Sequence, residues 1–302
     1  MNLQSRYRGC LLGLACGDAV GTTVEFSSRG SFPPVTDMVG GGPFRLPAGA
    51  WTDDTSMALC LASSLLETGG FDAQDQMRRY TAWYRDGYWS STGRCFDIGA
   101  TVLDALMRFE QTGEPFSGST NPRSAGNGCI MRLAPIPMFF YPDFSAAEHW
   151  AAESSRTTHG ATECVESCRL LALILCAAFS GKNKKEVLFG HATREFQSRK
   201  VRAIARGEYA DKERTAISGS AYVIACLEAA AWCFLRSDSF ESAVLLAVNL
   251  GDDADTTGAV TGQIAGAFYG EEGIPQTWLS RLAHGEQIRE LADRLYRRTN
   301  RA

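Results

Sequence analysis

The chain has 302 residues, 45% of them hydrophobic, with a formal net charge of -4 and a mean hydropathy of -0.15. This balance reads as an ordinary globular protein with room for a substantial core, and it excludes the strong positive field expected of a nucleic-acid binder. No apolar run reaches the roughly 18 residues of a membrane span.

In chain order, the first element is an apolar stretch with glycines every four residues, at Gly9, Gly13, Gly17 and Gly21. Arg6 and Arg8 precede it, but Gly13, Gly17 and Asp18 interrupt it, so it lacks the continuous apolar centre of a secretory signal. Ser27 to Ala50 is rich in Gly and Pro and reads as irregular. Met57, Leu61 and Leu65 share a helical face, as do Val102, Leu106 and Phe109. Gly113 to Gly128 reads as a loop, and Cys164, Cys168, Leu171 and Leu175 line the next helix. The basic stretch from Lys182 to Arg214 is expected to be irregular, either a solvated face or a lid near an anionic ligand. Leu227, Ala231 and Phe234 mark another helix, and Ile288, Leu291 and Leu295 a last one.

Between those last two, the spacing of four recurs at Gly258, Gly262, Gly266 and Gly270. Glycine inside a helix costs about 0.5–1 kcal/mol against alanine. Two such ridges therefore call for compensation, and close helix-to-helix approach in the core supplies it. Alternating strand patterns are scarce, so the expected fold is all-α. No stretch has the composition of a linker, which makes residues 1–302 one expected domain. The ten cysteines sit mostly in apolar runs and form no CxxC pair, so reduced thiols and a cytoplasmic location are expected.

Two acidic clusters carry the chemistry. WTDDTSMALC begins at Trp51, and GDDADTTGAVTG begins at Gly251. Thr52 reads as an N-cap with Asp53 and Asp54 in the first turn; Asp253, Asp255 and Thr256 open the second helix in the same way. Acids at a helix start gain typically 0.3–1 kcal/mol from the dipole, which explains any one of them alone. It does not explain two matching clusters, each drawn inward by the apolar helix behind it. If both starts converge, the donor set is all oxygen and selects Mg²⁺, Mn²⁺ or Ca²⁺ over softer metals. An EF-hand is excluded by spacing, because no distal glutamate follows at the required offset.

Together GCLLGLACGDAVGTTVEF, WTDDTSMA, FDIGATV, GNGCIMRLAPI, TTHG, GSAYV and NLGDDADTTGAVTGQIAGA resemble the ADP-ribosylglycohydrolase family over nearly the whole chain. The resemblance implies a compact single-domain orthogonal helical bundle with a binuclear metal cleft holding two Mg²⁺ or Mn²⁺. By position it implies metal ligands at Thr52, Asp53, Asp54, Asp253, Asp255 and Thr256. Asp252 stands where the family usually has glycine and is expected to point outward or to support the ligands. Glu25 matches a glutamate near the ions, and Asp97 an aspartate with ribose or acid–base duty; an N-cap for the helix from Gly99 is the plainer reading of Asp97. Gly126, Asn127 and Gly128 match a loop whose amides approach a diphosphate. Cys129 replaces a usual glycine in it. His159 matches a histidine on the nucleotide side, and Tyr222 an aromatic that packs on adenine, with Ala221 replacing glycine beside it.

The implied reaction is hydrolysis of the bond between the distal ribose of ADP-ribose and a protein arginine, with mono-ADP-ribosylated protein as partner and ADP-ribose as product. Serine-linked or ester-linked ADP-ribose is an alternative, as is a non-catalytic ADP-ribose-binding relative. A monomer is expected, with no nucleic-acid partner.

Overall fold

The computed structural model describes residues 2–299, and among these no β-sheet forms; the only extended pairings are three isolated bridges. The chain runs through α1 (Leu3–Gly21), α2 (Asp53–Thr68), α3 (Ala73–Asp86), α4 (Ala100–Thr112) and α5 (Pro135–Phe140). It continues through α6 (Phe144–Arg156), α7 (Thr162–Phe179), α8 (Lys184–Phe189), α9 (Arg199–Ala205) and α10 (Val223–Leu235). It ends with α11 (Phe240–Val248), α12 (Ala254–Tyr269), α13 (Gln276–Arg281) and α14 (Gly285–Thr299). The all-α expectation holds. So do the helical faces: Met57, Leu61, Leu65, Val102, Leu106, Leu171, Leu175, Leu227, Phe234, Ile288 and Leu295 are all buried.

α1 and α12 form the centre of the molecule, and their glycines explain why. A Cβ on Gly9 would stand 2.3 Å from the Gly266 carbonyl oxygen, one on Gly13 2.5 Å from that of Gly262, and one on Gly17 2.1 Å from that of Gly258. Residue numbers rise on one helix as they fall on the other, so the pair is antiparallel with a fixed register. That register sets Gly21, the end of α1, against Asp255 at the start of α12, where a Cβ would lie 2.3 Å from the Asp255 Cα. The lost helix propensity is recovered as close backbone packing in a dry core.

Ser27 to Ala50 is a loop, as expected. Lys182 to Arg214 differs from expectation: it contains α8, with a capping box from Asn183 and Glu186, and α9, capped by Ser198. Six- and seven-residue helices are too short to print a periodic pattern, which is why the stretch reads as irregular. All ten cysteines are free thiols and nine are buried. Among the described residues no helix is long and apolar enough to cross a membrane.

Candidate active site

The end of α1 and the starts of α2 and α12 meet at the floor of a cleft of about 570 Å³. The glycine register brings α12 there. Asp18, on the last turn of α1, brings α2. Its Oδ1 accepts from the Thr52 backbone N–H at 2.9 Å and the Thr52 hydroxyl at 3.0 Å. Its Oδ2 accepts from the Thr55 N–H at 3.0 Å and the Thr55 hydroxyl at 2.6 Å. The buried Trp51 ring pins the residue before, donating from Nε1 to the Ala283 carbonyl at 3.0 Å. Thr52 does occupy the N-cap position of α2, and Asp253 that of α12, but neither makes a side-chain capping hydrogen bond. Both side chains are therefore available to the cleft.

The six expected ligands do come together. Thr52 Oγ1 lies 3.3 Å from Asp54 Oδ2 and 3.4 Å from Asp255 Oδ2, while Thr256 Oγ1 lies 3.5 Å from Asp54 Oδ2. Asp53 and Asp253 line the same cleft. Carboxylate oxygens of Glu25, Asp97 and Asp255 fall within 4.8 Å of one another. Asp97 does not cap the helix behind it: Gly99 is the N-cap of α4, and the Asp97 carboxylate sits beside those of Glu25 and Asp255 instead.

These acids repel one another in a dry place. Burial first, and then the charges of Asp97, Asp253 and Asp54, push the Glu25 carboxyl up to about 10. Burial, with Asp18 and Asp253, pushes Asp97 up to about 7. Burial and neighbouring carboxylates also raise Asp53, Asp54 and Asp255 well above the usual range. Glu25 Oε2, Asp54 Oδ1 and Asp255 Oδ1 are buried with no hydrogen-bond partner. Orphaned anionic oxygens in an all-oxygen set are what a hard divalent cation satisfies, so the residues present fit such ions.

Asp252, by contrast, is exposed, as expected of a residue outside the ligand set, and its φ of 60° is the conformation that glycine adopts most easily.

The other wall of the cleft is the Gly126–Gly128 loop. It is sewn to the segment before α10: Asn127 N–H donates to the Ala221 carbonyl at 3.0 Å, and Val223 N–H to that of Ala125 at 3.1 Å. Asn127 Nδ2 donates to Asp253 Oδ2 at 2.7 Å, so this residue orients an expected ligand. The Cys129 thiol is buried, directed at the Gly126 and Cys164 carbonyls. Gly128 is needed: a Cβ there would stand 2.9 Å from His159 Cε1.

His159 lines the cleft and is buried. Thr158 Oγ1 accepts from Arg132 Nη2 at 2.6 Å, which leaves its own proton for His159 Nδ1 at 2.8 Å. That chain assigns the ring proton to Nε2, beside Gly126 and Gly128. Burial, with Arg132 adding to it, pushes the His159 imidazole down to about 4, so the ring is a neutral donor near pH 7. Tyr222 sits one step back from this wall. Its hydroxyl pairs with Glu163 and accepts from Lys200 Nζ at 2.6 Å, whereas Ser220 and Ala221 line the cleft.

Sequence reasoning missed Asp18 and Arg132. Asp18 carries a signal in retrospect, a lone acid inside a glycine-spaced apolar helix, where an ionised side chain needs a partner. Arg132, fully buried against the Tyr80 ring at 4.7 Å, had the same signal in an apolar run. A larger depression of about 1000 Å³ lies between α6 and α7, but its charged residues pair with each other, Arg169 with Glu148 at 2.6 Å and Arg156 with Glu153 at 3.1 Å. The smaller cleft is the candidate site.

Comparison with known proteins gives the same picture. The family described as ADP-ribosylglycohydrolase matches residues 1–302. The chain is 47% identical over 293 residues to the ADP-ribosylarginine hydrolase Tri1 of Pseudomonas putida (strain GB-1), covering 97% of this chain and 78% of that protein. It is 33% identical to the ADP-ribosyl-[dinitrogen reductase] glycohydrolase of Rhodospirillum rubrum, covering 93% and 91%. A solved structure of an ADP-ribosylglycohydrolase-related protein complex superposes with a TM-score of 0.86 at 43% identity, covering 99% of both chains.

Proposed function

The chain belongs to the ADP-ribosylglycohydrolase family, and from that premise we propose that its acidic cleft hydrolyses the N-glycosidic bond between ADP-ribose and modified arginine on proteins. In this reading residues 1–302 form one catalytic domain acting in the cytoplasm. The convergence of Thr52, Asp54, Asp255 and Thr256 on one buried point carries it, together with the 47% identity to a relative named as an ADP-ribosylarginine hydrolase.

Thr52, Asp53, Asp54, Asp253, Asp255 and Thr256 would hold two Mg²⁺ or Mn²⁺. Such cations, when bound, supply positive charge that neutralises the cluster, orients ribose hydroxyls and makes water more acidic. The protein's own groups do the rest. Gly126, Asn127, Gly128 and the neutral Nε2–H of His159 bind the diphosphate side, and Tyr222 flanks the adenine, held by Lys200 and Glu163. Held there, the distal ribose presents its anomeric carbon to the carboxylates, which stabilise the positive charge developing on the sugar as the bond stretches. Glu25 and Asp97 are neighbouring carboxyls with raised proton affinity. One of the two takes a proton from the attacking water while the departing guanidine gains one, and the products are ADP-ribose and unmodified arginine.

The test is incubation of the protein with arginine-, serine- and ester-linked ADP-ribosylated substrates, with and without EDTA. Release of ADP-ribose from the arginine linkage, lost with the chelator, is the expected result. Release from another linkage alone, or release that survives EDTA, would remove this reading.

A further inference from the structure

Phe26 follows the cleft carboxylate of Glu25 and lines the same cleft, yet the residue is 68% exposed. Its backbone lies in the left-handed region at φ 60°, an uncommon setting for a bulky residue. Two hydrogen bonds keep it there. Phe26 N–H donates to the Asp252 carbonyl at 2.8 Å, and Asp252 N–H donates to the Ser27 carbonyl at 2.8 Å, with Asp252 also at φ 60°. Strained residues persist only where the surroundings over-determine them, and they concentrate at ligand clamps.

The ring does not stand alone. Phe44, from the Gly- and Pro-rich loop, meets it edge-on at 6.4 Å between centroids, and Phe96, next to Asp97, meets Phe44 at 5.2 Å. Phe26 thus lines the cleft, with rings from two other segments packed in a chain behind it. Beside them the exposed Asp252 also lines the cleft, and among the described lining residues there is no lysine or arginine. An exposed ring beside carboxylate charge, in a cleft lined by no lysine or arginine, favours one kind of guest. A guanidinium is planar, weakly hydrated, stacks on aromatic faces and pairs with carboxylates. A hydroxyl or ester acceptor would gain neither term.

We propose that Phe26, backed by Phe44 and Phe96 and flanked by the Asp252 carboxylate, forms the subsite that takes the guanidinium side chain of the modified residue. This deepens the arginine-linked reading and rests on it. The rim, rather than the carboxylate floor, selects the acceptor.

Agmatine carries the same guanidinium without a protein attached, and ADP-ribose carries the sugar without an acceptor, so the two probes separate rim from floor. Both are titrated calorimetrically into the Mn²⁺-loaded protein, alongside kinetics on an arginine-linked substrate. Phe26→Ala is expected to weaken agmatine binding and raise KM by roughly 3- to 30-fold, with kcat and the Kd for ADP-ribose unchanged. Phe26→Trp should restore both, Phe26→Leu should not, and Asp252→Asn should weaken agmatine alone. Equal loss for agmatine and ADP-ribose, or a leucine variant matching wild type, overturns the proposal. Wild-type release from arginine with an unaffected Phe26→Ala removes the subsite and leaves the enzymatic reading. Agmatine binding that depends on Phe26, without release from arginine, does the reverse.

Discussion

Gly17 on α1 faces Gly258 on α12 so closely that a Cβ on the first would stand 2.1 Å from the carbonyl oxygen of the second. The contact is backbone against backbone, so neither side can yield by turning a rotamer. Alanine in a helix is ordinarily the better residue by about 0.5–1 kcal/mol, and here the sign must reverse. Gly17→Ala is expected to destabilise the protein by about 1–3 kcal/mol or more, the range of forced overpacking. Gly70→Ala, where an added Cβ meets nothing within 4 Å, should change stability by no more than about 0.5 kcal/mol. Urea unfolding of the two variants checks this. Because the same register sets Asp255 beside Gly21, Gly17→Ala should also lose cation affinity; retention of both properties would mean the register is not what builds the floor.

Asp18 holds four donors with two oxygens, two of them backbone N–H groups that cannot reverse their role. In Asp18→Asn the amide nitrogen must face one of those N–H groups. The threonine hydroxyls can rotate to accept, but one backbone donor loses its partner whichever way the amide turns. A charge-assisted hydrogen bond is worth about 1.5–3 kcal/mol, and a loss of that size is expected in chemical unfolding. Since Asp18 sets the start of α2, weaker Mn²⁺ binding should accompany it. An Asp18→Asn protein with wild-type stability would show that the Trp51 anchor alone places Thr52, Asp53 and Asp54.

Asp54 and Asp255 invite a trade between stability and function. Each carries a buried oxygen with no partner, so in the cation-free protein each is a liability. Asp54→Asn and Asp255→Asn should therefore raise Tm in EDTA, because a neutral amide relieves repulsion. Adding Mn²⁺ should raise the wild-type Tm and leave the variants nearly unmoved, since ligand binding to the folded state stabilises it in proportion to affinity. Hydrolysis should be lost in both. Thermal unfolding with and without Mn²⁺ reads all three; variants less stable than wild type in EDTA would mean that these oxygens are already satisfied.

Much of this arrangement is legible before any coordinates. Glycine spacing of four identifies α1 and α12 as a close pair, because nothing else excuses so many glycines in a helix. The two acid clusters identify the floor, because both set aspartates and a threonine at the start of an apolar helix. What stays hidden is whatever depends on distant pairing. Asp18 finds its donors 34 and 37 residues on, and no local pattern points to them. Thr52 and Asp253 look like caps by spacing and occupy cap positions, yet their side chains cap nothing. Phe26 looks like a core residue by type; only the left-handed turn throws it outward. Arg132 looks out of place in an apolar run until Tyr80 and Thr158 surround it.

The raised carboxyls fix how stability responds to pH when no cation is bound. An acid pushed up in the folded chain binds its proton more tightly there than in the unfolded chain. Between the ordinary carboxylate range near 4 and the raised value, the folded state holds more protons, so stability falls as pH rises. For Asp18, raised mainly by burial, this window reaches to about 6, and for Asp97 to about 7. In EDTA the protein should accordingly be more stable at pH 5 than at pH 7.5, by on the order of a few kcal/mol. Cations compete with those protons, so saturating Mn²⁺ should remove the slope or reverse it, and metal uptake between these pH values should release protons. Urea unfolding at the two pH values, with EDTA and with Mn²⁺, measures the difference directly. A cation-free protein that gains stability over this range would mean the carboxylates are ionised and satisfied without any ion.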